Sequence, residues 1–172
     1  MKLVVEICSR ILSTSSVITN NPSAGSMLPS EACYNLIKQF EGCRLTAYQD
    51  TRGIWTIGYG ATGLGIGPGV VWTQAQADWA LSQRVEAVGR IICQAVVPSL
   101  LQNQFDALCS LVYNIGPGAF RGSTLLRLLN QRDFQGAAQQ FMAWDHAGRA
   151  VIEGLARRRQ AEMTLFASNS LL

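Results

Sequence analysis

Charge is scarce in this chain: 15% of its 172 residues are Asp, Glu, Lys or Arg, and the lysines number two, Lys2 and Lys38. With 14 basic and 11 acidic side chains the net charge is +3. That surplus is too small to argue for nucleic acid, though it suits an anionic wall or membrane surface. One histidine, His146, excludes a histidine-built metal site. The five cysteines are odd in number and contain no CxxC, which excludes a zinc ribbon and a fully paired disulfide scaffold. A membrane-spanning helix needs ~20 predominantly apolar residues, and no stretch supplies them. What is abundant is apolar: 48% of the residues are hydrophobic, and the length suffices for one core-forming domain, alone or with a tail.

Residues 1–29 read as a tail and linker, and 30–172 as the domain. Leu3, Val4, Ile7, Cys8 and Ile11 share one helical stripe, but Glu6 and Arg10 interrupt the apolar run. A short helix laid on the domain or a frayed end fits that pattern, with a weak membrane or export element as the alternative. The stretch from Ser13 to Ser30 is rich in Ser, Thr, Asn, Pro and Gly, which is linker composition.

From Ser30 the grammar is structural. Ser30 can cap a helix over 31–41, with Cys33, Leu36, Ile37 and Phe40 on one face and Gly42 as a stop. Extended runs Leu45–Tyr48 and Ile54–Tyr59 flank a polar turn containing Gly53, which predicts a hairpin. Six glycines between Gly58 and Gly69 predict irregular backbone. Thr73 with Gln76, and Ser99 with Gln102, are capping-box signatures before two long apolar stripes. After a Gly116-Pro117-Gly118 break, helices are expected near 123–130, 133–144 and 151–167. The fold class is therefore α+β and mainly α: a small hairpin lobe, a larger helical lobe and a cleft between them.

Glu41 closes the first helical face directly after Phe40, and Asp50 lies in the hairpin turn nine residues later. Thr56 follows on the second strand, on the opposite side from Trp55 and Ile57. Helix end, turn and strand can converge. Apolar surface beside Glu41 disfavours its charged form, whereas a solvated turn keeps Asp50 ionised. Such a pair of carboxyl groups is what glycoside hydrolysis requires, with a surface helix-end Glu and a turn Asp as the alternative that the spacing alone leaves open.

The segment Glu41-Gly42-Cys43-Arg44-Leu45-Thr46-Ala47-Tyr48, then Asp50-Thr51-Arg52-Gly53-Ile54-Trp55-Thr56-Ile57-Gly58-Tyr59-Gly60, resembles the active-site segment of the phage-type lysozymes, glycoside hydrolase family 24. The pattern there is E-G-x-R-L-x-x-Y followed by D-x-x-G-x-x-T-I-G-x-G, and every position is filled. Ala107–Gly116, Phe120–Asn130 and the closing Gly154-Leu155-Ala156-Arg157-Arg158-Arg159-Gln160-Ala161-Glu162 resemble later motifs of the family in the same order. Coverage runs from about 30 to about 167.

That resemblance implies a lysozyme-like fold and an endolysin muramidase that needs no metal or cofactor. Glu41 would be the general acid, Asp50 the carboxylate on the opposite side of the sugar, and Thr56 the residue holding the hydrolytic water. The bond cut would be the β-1,4 link between N-acetylmuramic acid and N-acetylglucosamine in bacterial peptidoglycan. Inversion is expected, with carboxyl groups ~6.5–9.5 Å apart. Tyr113 and Asn114 are candidates for sugar contact, with helix capping and core packing as the alternative. A monomer is expected to wait in the host cytoplasm for a holin, while export by the tail stays open. Relatives often place histidine after the G-x-G, where this chain has Ala61.

Other signals are weaker. Gly58-Tyr59-Gly60-Ala61-Thr62-Gly63 fits a dinucleotide fingerprint, but Leu64-Gly65-Ile66-Gly67-Pro68-Gly69 cannot open the required helix. Arg157-Arg158-Arg159 reads as a solvated helix face with one arginine turned in to orient Glu41, a role Arg149 could also fill. Cys93 and Cys109 read as small buried hydrophobes. The resemblance raises redox control through Cys8, Cys33 and Cys43. The rival functions are a non-catalytic wall-binding module and a membrane-disrupting protein acting through its last helix.

Overall fold

The computed structural model describes residues 27–148 and 150–168. The tail helix, Cys8 and Arg149 lie outside the described residues. Ser30 opens the first helix, its Oγ accepting the Ala32 N–H at 3.2 Å. This helix, α1 (Glu31–Glu41), buries Cys33 and Ile37, and Gly42 ends it at φ +64° with its N–H on the Lys38 carbonyl. The helix therefore stops with Glu41 at its edge.

The chain turns at once into a three-stranded antiparallel sheet, β1 (Arg44–Gln49), β2 (Trp55–Gly58) and β3 (Ala61–Thr62), in that spatial order. Gln49 faces Trp55 and Tyr48 faces Thr56, but Arg44 faces Gly58, so four steps of β1 oppose two of β2. The surplus residues of β1 bond on the other side: Ala47 N–H to the Val70 carbonyl at 2.9 Å, and Trp72 N–H to that of Leu45 at 2.8 Å. A bulge of this kind bends the strand and brings its two ends closer. β3 lies inside the glycine-rich stretch, where only irregular backbone was expected. Two residues are too few to leave a periodic trace.

The long helix α2 (Gln74–Ala95) starts on the expected Thr73–Gln76 capping box and buries Ala77, Leu81, Val85, Val88 and Ile92. The second expected box is displaced. Helix α3 (Gln102–Ile115) has Leu101 in the cap position, its N–H on Gln104 Oε1 at 2.9 Å, so Ser99 caps nothing. From Phe105 to Tyr113 every residue of α3 is buried, which marks it as the central helix of the domain.

Two polar side chains of α3 anchor its neighbours. Asp106 accepts from the backbone N–H and Oγ of Ser30 at 3.0 and 2.5 Å, holding the start of α1. Asn103 Nδ2 donates to the Leu165, Phe166 and Ser168 carbonyls, giving partners to the otherwise orphaned end of the last helix.

After Gly116 come α4 (Pro117–Arg121), α5 (Thr124–Asn130), α6 (Phe134–Gln139) and a 3₁₀ turn (Gln140–Trp144). The expected break thus carries a short helix, with Pro117 in the first helical position where its missing N–H costs nothing. A second small hairpin, β4 (His146–Ala147) and β5 (Ala150–Val151), precedes the last helix, α7 (Glu153–Ala167). Residues 146–151 had carried no strand signal. The architecture is the α+β arrangement expected, seven helices and a small sheet among the described residues. No described helix is long and apolar enough to cross a membrane.

Candidate active site

Glu41 ends α1 with its side chain 22% exposed. Arg158 of α7, itself almost wholly buried, donates Nη1 to Glu41 Oε1 at 2.6 Å. The same guanidinium donates Nε to Glu162 Oε1 at 3.0 Å and Nη2 to the Ser110 carbonyl at 3.3 Å. Ser110 Oγ donates to Glu162 Oε1 at 2.7 Å, and Arg159 Nη1 lies 2.9 Å from Glu162 Oε2. Glu41 therefore does not sit in the purely apolar setting that Phe40 suggested. One of its oxygens is held by a buried arginine whose own orientation is fixed by α3 and α7. Its other oxygen, Oε2, faces Gly60, where an added Cβ would come within 4.0 Å.

Asp50 sits at the far end of the β1–β2 hairpin. Its Oδ1 accepts the N–H groups of Arg52 and Ile54 at 2.8 and 2.9 Å, and Oδ2 pairs with Arg52 Nη2 at 3.2 Å. The Ile54 N–H, with the Arg52 backbone and guanidinium adding to it, holds this carboxyl below the usual carboxylate range. The carboxylate is thus pinned and charged, as the turn had implied.

The hairpin's register sets the scale of the site. Arg44–Gly58 lies at the Glu41 end of the ladder and Gln49–Trp55 at the Asp50 end. The three-step span of β2 between those pairs is about 10 Å at 3.3 Å per residue. Without the bulge in β1 the two ends would stand further apart.

Thr56 is 5% exposed and lies between these ends, opposite Tyr48. Its Oγ1 donates to the Ile54 carbonyl at 3.0 Å, which leaves the hydroxyl oxygen as an acceptor.

Tyr113 and Asn114 reach the site in different ways. The Tyr113 hydroxyl is engaged, donating to the Tyr59 carbonyl at 2.7 Å, and its ring is largely buried. Asn114 is exposed and accepts from Arg159 Nη2 at 2.6 Å. With Glu41, Phe40, Ile152, Leu155 and Arg158 it lines a groove of about 530 Å³.

The remaining sequence signals resolve as follows. After Gly63 no helix begins until Gln74, so the glycine pattern has no helix N-terminus to offer a phosphate. Of the arginine triplet, Arg157 is exposed and pairs with Glu153, while both Arg158 and Arg159 turn inward, one more than expected. Trp144 packs against the core, and His146 lies beside buried Asp145. Cys33 and Cys109 are buried free thiols, burial pushing the Cys109 thiol up; Cys93 is half-buried and Cys43 exposed. Arg84 falls in none of the sequence motifs, and Ser110 and Glu162 fall within them without a role of their own. The closing motif contains Glu162, but nothing in its spacing tells that it lies beneath Glu41.

Comparison with known proteins finds relatives over most of this chain. The chain is 47% identical over 144 residues to the endolysin of Acyrthosiphon pisum secondary endosymbiont phage 1, an overlap covering 81% of the chain and 97% of that protein. It is 44% identical over 143 residues, 82% of the chain, to the endolysin of Bacillus phage PZA, of which it spans 55%. The solved muramidase domain of SpmX from Asticaccaulis excentricus superimposes with a TM-score of 0.77 at 38% identity, covering 81% of the chain and 97% of that domain. The phage lysozyme family model matches residues 38–162, a span that contains Glu41, Asp50, Thr56 and the Arg158–Glu162 network. With residues 38–162 matched by the family model and a relative 47% identical over 81% of its length, the chain belongs to the phage lysozyme family.

Proposed function

We propose that this chain is an endolysin muramidase, hydrolysing the β-1,4 bond between N-acetylmuramic acid and N-acetylglucosamine in bacterial peptidoglycan to lyse the host cell. The observation that carries this reading is the division of labour between the two carboxyl groups. Arg158 occupies Glu41 Oε1, so a proton on Glu41 belongs to Oε2, the oxygen on the Gly60 side. That oxygen protonates the glycosidic oxygen as the bond breaks, and Arg158 stabilises the carboxylate left behind.

Asp50 and Thr56 present acceptors only: a carboxylate, and a hydroxyl whose hydrogen is committed to the Ile54 carbonyl. A water held between them donates both hydrogens and directs a lone pair at the anomeric carbon. Asp50 takes the proton as that water attacks. Glu41 lies beyond one end of a ladder about 10 Å long and Asp50 beyond the other, and this separation along the hairpin supports inversion, with the water between the two groups, over a covalent intermediate. Asn114, in the groove beside Glu41, offers its amide to the acetamido groups of the substrate. The enzyme works as a monomer and meets the wall after holin-mediated release from the host cytoplasm.

Digestion of purified peptidoglycan tests this directly. The soluble fragments carry N-acetylmuramic acid at their reducing ends by mass spectrometry, and the α-anomer appears first by NMR. Reducing-end N-acetylglucosamine would overturn the bond assignment, and an initial β-anomer would overturn inversion.

The pH profile supplies a second test. Asp50 acts ionised, and its pKa lies below the ordinary 3.8, so the acid limb of kcat/KM falls below that value. Arg52→Ala removes the side-chain contribution but keeps the larger one, the Ile54 N–H. The limb therefore moves upward, toward but not beyond the ordinary carboxylate value. An unmoved limb would separate it from Asp50.

A further inference from the structure

Arg84 lies midway along α2, on the helix that joins the sheet to the helical lobe, and carries none of the family's motif. Its Nη1 donates to the Gly60 carbonyl at 2.7 Å, and its guanidinium lies 4.6 Å from the centroid of the Tyr113 ring. Tyr113, from α3, donates its hydroxyl to the preceding carbonyl, that of Tyr59, at 2.7 Å. Two consecutive carbonyls of the β2–β3 turn are thus tied to two different helices. The guanidinium joins both ties, as donor to one and as cation over the ring that makes the other.

This turn is the part of the sheet that faces the acid. Gly60 adopts φ +84° and approaches Glu41 Oε2 so closely that a Cβ would stand 4.0 Å away. Nearby, Gly58 is packed against Trp72 and Ala77, where a Cβ would meet atoms at 3.3 Å. A Cβ at Gly58 would meet packed side chains, whereas one at Gly60 would meet only Glu41 Oε2, and the Gly60 carbonyl is held by Arg84. An ion pair of Arg84 with a carboxylate would be a matter of surface charge, but none is present among the described residues; its contacts are a backbone carbonyl and a ring.

We infer that Arg84 is a positioning residue for the hydrolysis: by holding the Gly60 carbonyl and the Tyr113 ring together, it keeps the Tyr59–Gly60 turn seated beneath Glu41 Oε2. This rests on the reading of Glu41 as the acid. The turn lies beside Oε2, the oxygen that must meet the glycosidic oxygen, and a shift of about 1 Å in such a setting costs up to 10²-fold in rate. Arg84 is not among the residues that line the groove holding Asn114 and Ile152, so the effect is expected on kcat.

The test compares Arg84→Met, Arg84→Ala and Arg84→Lys with wild type on purified peptidoglycan, at a temperature where circular dichroism shows each folded. Methionine keeps bulk over the Tyr113 ring without a donor or charge; lysine keeps both. The expected result is a kcat about tenfold lower for Met and Ala with KM within twofold. Lysine restores kcat to within about threefold of wild type, a rescue that packing alone would not deliver, because methionine packs equally well. Wild-type kcat in the Met and Ala variants, a loss confined to KM, or a lysine variant no better than methionine would each overturn the proposal. Glu41→Gln, run alongside, separates the two readings. If it loses activity while the Arg84 variants do not, the Arg84 proposal alone falls. If it stays active, the acid assignment falls and takes the proposal with it.

Discussion

Glu41→Gln is expected to give a folded protein that clears purified peptidoglycan about 10³-fold more slowly than wild type, the scale of losing a positioned general acid. Glutamine matches the shape of glutamate and its Oε1 still accepts from Arg158, so the geometry of the site persists. What disappears is the transferable proton on the oxygen facing Gly60. Stability changes little, by about 1 kcal/mol, because Arg158 keeps Glu162 and the Ser110 carbonyl as partners. Turbidity loss on purified walls, read beside a thermal unfolding curve, measures both. Activity within tenfold of wild type would remove Glu41 from the chemistry and favour a wall-binding module. Lysis of intact cells persisting while purified walls stay uncut would point instead to membrane disruption.

The parts of this molecule that were legible in the sequence are those with local causes. Ser30, Thr73 with Gln76, and Gly42 mark helix ends through bonds within a few residues, and those ends stand where the sequence placed them. The hairpin was legible from Gly53 and its β-branched flanks. The misreadings have equally physical origins. Ser99 has the chemistry of a cap, but Gln104 answers the Leu101 N–H and the helix begins there instead. Strands β3, β4 and β5 are each two residues long, shorter than any periodic signal.

The candidate site divides in the same way. Glu41, Asp50 and Thr56 fall within 16 consecutive positions, so a motif can carry them. Their supports do not. Arg158 reaches Glu41 across 117 positions and Tyr113 reaches Tyr59 across 54, and only the packing of α1, α7 and the β2–β3 turn around α3 brings them together. Arg158 and Arg159 look like any charged run, and the sequence offers no reason why two should be interior. The reason is Glu162, which gives both a counter-charge.

Glu162→Ala is therefore expected to be the most destabilising single change in the charged set, costing about 3–5 kcal/mol. Glu162 is fully buried and accepts from Ser110 Oγ and Arg158 Nε, with Arg159 against its second oxygen. Burial pushes the Glu162 carboxyl up and the Arg159 guanidinium down, so neither favours being charged there without the other. Removing the carboxylate leaves two arginines inside: Arg158 keeps Glu41 as a direct partner, while Arg159 keeps only the charges of Glu41 and Asp145 without an ion pair to either. The contrast is Arg157, four residues from Glu153 on the exposed side of the same helix, whose pairing contributes about 0–1 kcal/mol. Urea unfolding of Glu162→Ala and Arg157→Ala in parallel measures the difference. At about 2–4 °C per kcal/mol for a domain of this size, the first variant melts roughly 6–20 °C lower and the second within a few degrees of wild type. Activity separates from stability here as well. Even where Glu162→Ala is folded, Arg158 has lost the partner that aims it at Glu41, so kcat falls. Equal stability of the two variants would show that the buried arginines are neutralised by something other than Glu162.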